Sequence, residues 1–98
     1  MRRRDYIRRL GEAIKSTHGC TARHVGTKPV VEVFRGEVAW DGDVEVFNIS
    51  GHPKARRCYA WGYDDEGTFR ITAVLELPPV DSPEAAVKVA IAAKACEQ

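Results

Sequence analysis

A basic loop set directly against an aromatic strand poses the chemical question of this sequence. Residues 51–63, Gly-His-Pro-Lys-Ala-Arg-Arg-Cys-Tyr-Ala-Trp-Gly-Tyr, pass from clustered cations into a run where small and aromatic residues alternate. Lys54, Arg56 and Arg57 have the composition of a phosphate grip, and Tyr59, Trp61 and Tyr63 offer flat faces on which bases can stack. With Arg2, Arg3 and Arg4 at the start of the chain, the three loop cations form the candidate nucleic-acid or anion-binding set. The competing reading is a solvated turn leading into a core strand, and it is the stronger, because short basic clusters occur on any surface.

Other residue sets have the types for chemistry but not the spacing. Cys58 with His52 would be a nucleophile and base, yet the intervening loop does not enforce hydrogen-bond reach between them. His18, Cys20 and His24 make an H-x-C-x3-H run, which lacks a fourth ligand and matches no usual zinc spacing. Asp64, Asp65 and Glu66 are consecutive on a tight turn, so their carboxylates point apart and a solvated turn is expected. No Gly-rich phosphate loop, dinucleotide fingerprint or informative Ser-His-Asp arrangement is present. No catalytic residue, metal site or cofactor is therefore assigned.

Composition narrows the setting. Ninety-eight residues with a formal net charge of +1 suit one domain, 1–98, with residues 1–4 open to being a disordered tail, and give no bulk attraction to nucleic acid or membrane. Three widely spaced cysteines, Cys20, Cys58 and Cys96, point to reduced thiols. The opening arginines are not followed by the apolar run of a secretory signal. No stretch has the length and apolarity of a membrane span, so a cytoplasmic protein without membrane contact is expected.

The elements that must position these residues follow from periodicity. Tyr6, Ile7, Leu10, Ala13 and Ile14 give a one-sided helix over 4–17, stopped by Gly19. After a connector over 18–29, residues 30–34, 37–40 and 43–49 read as strands, with Asp41-Gly42 as a hairpin turn and Gly36 as a candidate bulge. Two more strands cover 57–63 and 68–77. Ser82 as N-cap, Pro83 at the first helical position and Glu84 at the positive end of the dipole open a last helix that is nearly all Ala and Val. The order α-β-β-β(-β)-α predicts an α+β two-layer sandwich, an antiparallel sheet with both helices packed on one face.

Which face the helices cover decides the role of the aromatic stripe. A three-residue loop, Asp65-Glu66-Gly67, sets Asp64 opposite Thr68, puts the stripe opposite Phe69, Ile71 and Ala73, and makes it core. A two-residue loop would shift the pairing by one and set the rings beside Arg70 as a stacking surface. With the rings inward, Cys58, Ala60, Gly62 and Val74 are the candidate interface on the sheet's second face. The direction of the first helix stays open: one way its arginines meet the acidic turns, the other way they join the basic loop in one cationic face.

The element order is similar to that of the double-stranded RNA-binding domain, in topology alone. Where that family carries paired lysines at the start of its last helix, Ser82 to Val87 carries an acid and no cation, so no residue role is transferred. The expected function is a small non-catalytic interaction or assembly module that pairs with a protein partner or with itself as a homodimer. Nucleic-acid binding through the two basic clusters is the first alternative, and a small-ligand or enzymatic site at His52 and Cys58 the second.

Overall fold

Two hairpins of unequal reach build the sheet. In the computed structural model, residues 1–96 are described, and the chain runs α1 (Arg3–His18), β1 (Thr21–Phe34), β2 (Glu37–Ser50), β3 (Arg57–Asp65), β4 (Thr68–Leu75) and α2 (Pro83–Cys96). The strands form one antiparallel meander in the order β1-β2-β3-β4. The α+β class and the element order are those expected from the sequence. The first helix begins at Arg3, one residue before the expected 4–17, which leaves only residues 1 and 2 of the candidate tail outside it, and the connector over 18–29 is mostly strand.

Both hairpins close through two residues with left-handed φ, Arg35-Gly36 (55° and 81°) and Glu66-Gly67 (52° and 85°), as tight type I′ connections require. Asp41-Gly42 is therefore not a turn but lies inside a continuous β2, and Gly36 is a turn residue rather than a bulge. The register shifts fall instead between His24 and Gly26 and between Glu32 and Val33. Local Asp-Gly propensity loses at Gly42 to the full-length pairing of β1 with β2, and the Trp40 ring lies against this glycine; a Cβ there would sit 3.2 Å from the ring.

The helices lie on opposite faces, which corrects the two-layer expectation. Tyr6, Ile7, Leu10 and Ile14 of α1 pack on Phe47, Ile49, Cys58, Ala60 and Ile71. Ala86, Val87, Ala90 and Ile91 of α2 pack on Val44, Val46, Tyr59, Trp61 and Val74. Large helix side chains thus meet the small side of β3, and the small residues of α2 meet its rings, so large packs against small in both layers. Both sheet faces are apolar near the centre, and one helix could not have covered both.

The caps behave as the sequence indicates. Gly19 takes φ 68° and donates its N–H to the Lys15 carbonyl, and the Ser82 hydroxyl accepts from Ala85 N–H at 3.1 Å. No helix is long and apolar enough to cross a membrane among the described residues.

The sheet is forked. β1 and β2 pair along their whole length, and β3 pairs β4 from Cys58 to Asp65. β2 and β3, in contrast, pair only through Glu45–Asn48 and Arg57–Ala60. Beyond Glu45 and Ala60 the hairpins separate, and the distal part of β1–β2 projects as a two-stranded ribbon. At the crotch, the Tyr6 hydroxyl accepts the Gly62 N–H at 2.9 Å, replacing a strand partner that has moved away.

Candidate functional site

Placement of the basic residues separates the two clusters. Arg3 donates to Thr27 and, at 3.1 Å, to the Glu45 carboxylate. Arg8 pairs with Asp5 and Glu12 within α1, and Arg9 lies 4.6 Å over the Phe69 ring. The start of α1 therefore sits at the fork. The 51–56 loop lies at the other end, where Gly51 adjoins Cys20, about 24 Å away along a sixteen-residue helix. Arg2, Arg3 and Arg4 do not join Lys54, Arg56 and Arg57 in one face. The loop itself is built on His52, whose Nδ1 accepts from the backbone N–H of Lys54 (3.0 Å) and Ala55 (2.8 Å), leaving Lys54, Arg56 and Arg57 exposed.

His52 is thus committed to its own loop, and Cys58 is fully buried under α1. Burial, with the neighbouring Cys20 acting in the same direction, pushes the Cys58 thiol from an ordinary 9.0 up to about 12, so no thiolate nucleophile forms near neutrality. Cys58 and Cys20 are free thiols; the side chain of Cys96 lies outside the described residues. The candidate interface also dissolves. Cys58 and Ala60 are core, Gly62 is covered by Phe69, and Val74 is half-buried on the opposite face under α2. The misplacement has two causes: α1 covers the face that was expected to be open, and the two-residue loop pairs Val74 with Tyr59, which moves it to the α2 face.

His18, Cys20 and His24 serve three separate partners. His18 Nε2 lies 3.4 Å from the Ala73 carbonyl on the edge of β4, Cys20 is core, and His24 Nε2 donates to Glu45 at 2.8 Å. Glu45 is the one buried charged residue of the described core, 1 % exposed. Its Oε1 accepts from Arg3, His24 and Thr27, while Oε2 has no partner. Sequence reasoning passed over this carboxylate because Val-Glu-Val-Phe alternation reads as one wet and one dry face. Here α1 closes over the wet one.

The two-residue loop at Glu66-Gly67 settles the aromatic stripe. Tyr59 pairs across with Val74, Trp61 with Thr72 and Tyr63 with Arg70. Tyr59 and Trp61 are core, as expected, but under α2 and not opposite Phe69 and Ile71. Tyr63, at 42 % exposure, emerges beside Arg70 at the fork end. There the end of α2 and the two hairpins leave a cleft of about 680 Å³, walled by Trp40, Trp61 and Tyr63 and bearing Arg70, Lys94 and Asp65. Trp40 and Trp61 meet edge to face at a centroid distance of 5.3 Å and 64°. Arg70 is held by Asp65 at 2.8 Å. Lys94 and Trp40 were invisible as partners because the fork itself is a register event.

The ribbon carries the other unusual surface. Val31, Val33 and Val38 lie on its α1-side face at 59, 63 and 63 % exposure, and Phe34 on the opposite face at 41 %. Arg35 stacks over Phe34 at 5.1 Å. Asp41 and Asp43 occupy the same face as the valines and lie beside Arg3 of α1.

No family model, curated protein or solved structure matches the chain. The class defined by the coordinates is a forked four-stranded antiparallel sheet with one helix on each face.

Proposed function

We propose that the chain is a non-catalytic assembly module of the cytoplasm, and that it pairs with a second copy of itself through the β1–β2 ribbon. The observation that carries this reading is the contiguous patch of Val31, Val33 and Val38 on a ribbon that projects past the cover of α1. Apolar side chains of this size contribute about 1.5–3 kcal/mol each when fully buried, and on this ribbon none of the described residues buries them.

A second copy suits the surface better than an unrelated chain. β1 is an edge strand with β2 as its single neighbour, and antiparallel pairing of two β1 strands about a two-fold axis sets Val31 and Val33 of each copy side by side on one continuous face, where they shield one another. Pro29 cannot donate to such a ladder, so pairing is confined to residues 30–34 and does not spread inward. The same face holds Asp41 and Asp43, with Arg3 beside them, which gives each copy both signs of charge to present to its mate. Buried, free Cys20 and Cys58 suit a reducing compartment.

Sedimentation equilibrium from low micromolar to millimolar protein tests the reading, with Val33→Asp/Val38→Asp alongside. A dimer that the double substitution converts to a monomer of unchanged circular dichroism supports it. A strict monomer at millimolar concentration, or a dimer that survives the two aspartates, overturns it.

A further inference from the structure

The cleft at the end of α2 has the features of a ligand site on the face of the sheet opposite the ribbon valines. Its volume of about 680 Å³ lies within the roughly 300–1,000 Å³ common to small-molecule sites. The space exists because Ala90 and Ala93 face it from α2, where larger side chains would have closed over the rings. Its walls are also fixed. Trp40 is held between Gly42 and the edge of Trp61, and Arg70 is anchored by Asp65 on the neighbouring hairpin strand. Tyr63 and Arg70 are a direct cross-strand pair, so a flat ring and a guanidinium stand side by side at the rim, within about 5 Å at Cβ.

We propose that this cleft binds a planar aromatic ring bearing an anion, the chemistry of a nucleotide: the ring packs against Trp40 and Tyr63, and the phosphate is met by Arg70 and Lys94. Three aromatic walls select a flat apolar group over an aliphatic one. Two cations against one acid, Asp65, leave an excess of positive charge at the mouth, which disfavours the cationic ligands that aromatic cages otherwise hold. The guanidinium is a planar fork whose geometry matches phosphate oxygens. Free nucleotides and the bases of a single strand share this chemistry, since stacking tolerates any base.

Both tryptophans of the chain line the cleft, so their two indole N–H signals in a nitrogen–proton correlation spectrum report its occupation, and the Tyr63, Arg70 and Ala93 variants tie any movement to this cleft. Adenosine monophosphate, adenosine, inorganic phosphate and a short oligothymidylate are titrated into the Val33→Asp/Val38→Asp protein, so that failure of the assembly reading leaves this test intact. The expected result is saturable movement of both indole signals with adenosine monophosphate, weaker movement with adenosine, and none with phosphate alone. Tyr63→Ala and Arg70→Ala, both at exposed or rim positions, each weaken the interaction about 10-fold, and only loss of Arg70 flattens its salt dependence. Ala93→Trp, an exposed substitution that plugs the cleft, abolishes it. Oligothymidylate binding tighter than the mononucleotide assigns the site to a strand; the reverse assigns it to a free nucleotide. The proposal is overturned if neither indole signal moves with any aromatic anion, or if movement persists unchanged in Tyr63→Ala, Arg70→Ala and Ala93→Trp proteins whose amide spectra remain native.

Discussion

Gly62 is the residue on which the fork depends, and Gly62→Ala measures how tightly it is held. Gly62 is not among the residues with left-handed φ, so alanine suits its backbone and would by itself stabilise by about 0.4–1 kcal/mol through the unfolded chain. The obstacle is space: a Cβ would lie 2.3 Å from Phe69 Cζ, 2.8 Å from its Cε1 and 3.1 Å from Tyr6 Cε1. The Phe69 ring must leave, which forfeits about 1.5–3 kcal/mol of burial and roughly 0.5–1 kcal/mol of its contact with Arg9. Displacement of Tyr6 would also break its hydrogen bond with Gly62 N–H, worth about 0.5–1.5 kcal/mol. The balance is a net loss of about 1.5–5 kcal/mol, at about 4–8 °C in Tm per kcal/mol for a domain of this size. Urea unfolding read by circular dichroism provides the measurement, with Phe69→Ala and the double variant completing a cycle. In the Phe69→Ala background the added methyl has room and is expected to be neutral or slightly stabilising. The steric argument fails if Gly62→Ala stays within about 0.5 kcal/mol of the parent, or if it loses as much stability with Phe69 already removed.

Two further predictions concern the buried polar groups. Glu45→Ala leaves Thr27 and His24 without their acceptor and is expected to lose about 3 kcal/mol, whereas Arg3→Ala removes only a solvent-facing donor and is expected to lose no more than about 1 kcal/mol; equal losses in urea unfolding would show that the cluster is not organised around the carboxylate. Cys58 fixes the alkaline limit: its thiol is raised from 9.0 to about 12 in the fold, so above pH 9 the unfolded chain sheds a proton that the fold retains, and stability falls by up to about 1.4 kcal/mol per pH unit as pH rises toward 12. Tyr59, raised from 10.0 to about 12 by burial and by its hydrogen bond with Glu76, adds to the loss only from about pH 10. Cys58→Ala should therefore abolish the decline between pH 9 and 10 in pH-dependent urea midpoints, and an unchanged decline would refute the assignment.

What could be read from the sequence and what could not divide along a physical line. Elements fixed by local chemistry were legible: α1 with its Gly19 stop, α2 with Ser82 and Pro83, and the strand character of 30–34, 43–49 and 57–63. Each depends on side chains within a few residues. The errors all concern register. Asp41-Gly42 carries a stronger turn signal than Arg35-Gly36, yet the hairpin closes at the latter, because β1 reaches back to Thr21 and pairs β2 over its full length. A single residue in the second loop then moved the stripe from Phe69, Ile71 and Ala73 to Arg70, Thr72 and Val74. With that shift both faces of the sheet became apolar, the helices parted to opposite sides, and the interface set of Cys58, Ala60 and Gly62 became core. Glu45 was missed for a related reason, since a carboxylate in an alternating strand reads as solvated until a helix lies across it.

The fork links the two surfaces proposed to act. A four-stranded sheet with continuous ladders would bring β2 alongside β3 up to the hairpin ends, burying Trp40 against Tyr63 and leaving no projecting ribbon. Two ring-over-glycine contacts oppose that closure: Trp40 over Gly42 on one face and Phe69 over Gly62 on the other. Each places an aromatic ring where a flat, closed sheet would place a neighbouring strand's side chain, and Tyr6 occupies the hydrogen-bonding site on Gly62 that such a strand would use. Separation of the hairpins thus exposes the valines of the ribbon on the α1 side and opens the aromatic cleft on the α2 side by the same displacement. The two surfaces are on opposite faces, so occupation of the cleft leaves the ribbon valines accessible, and pairing of two ribbons leaves Tyr63 and Arg70 open to a ligand.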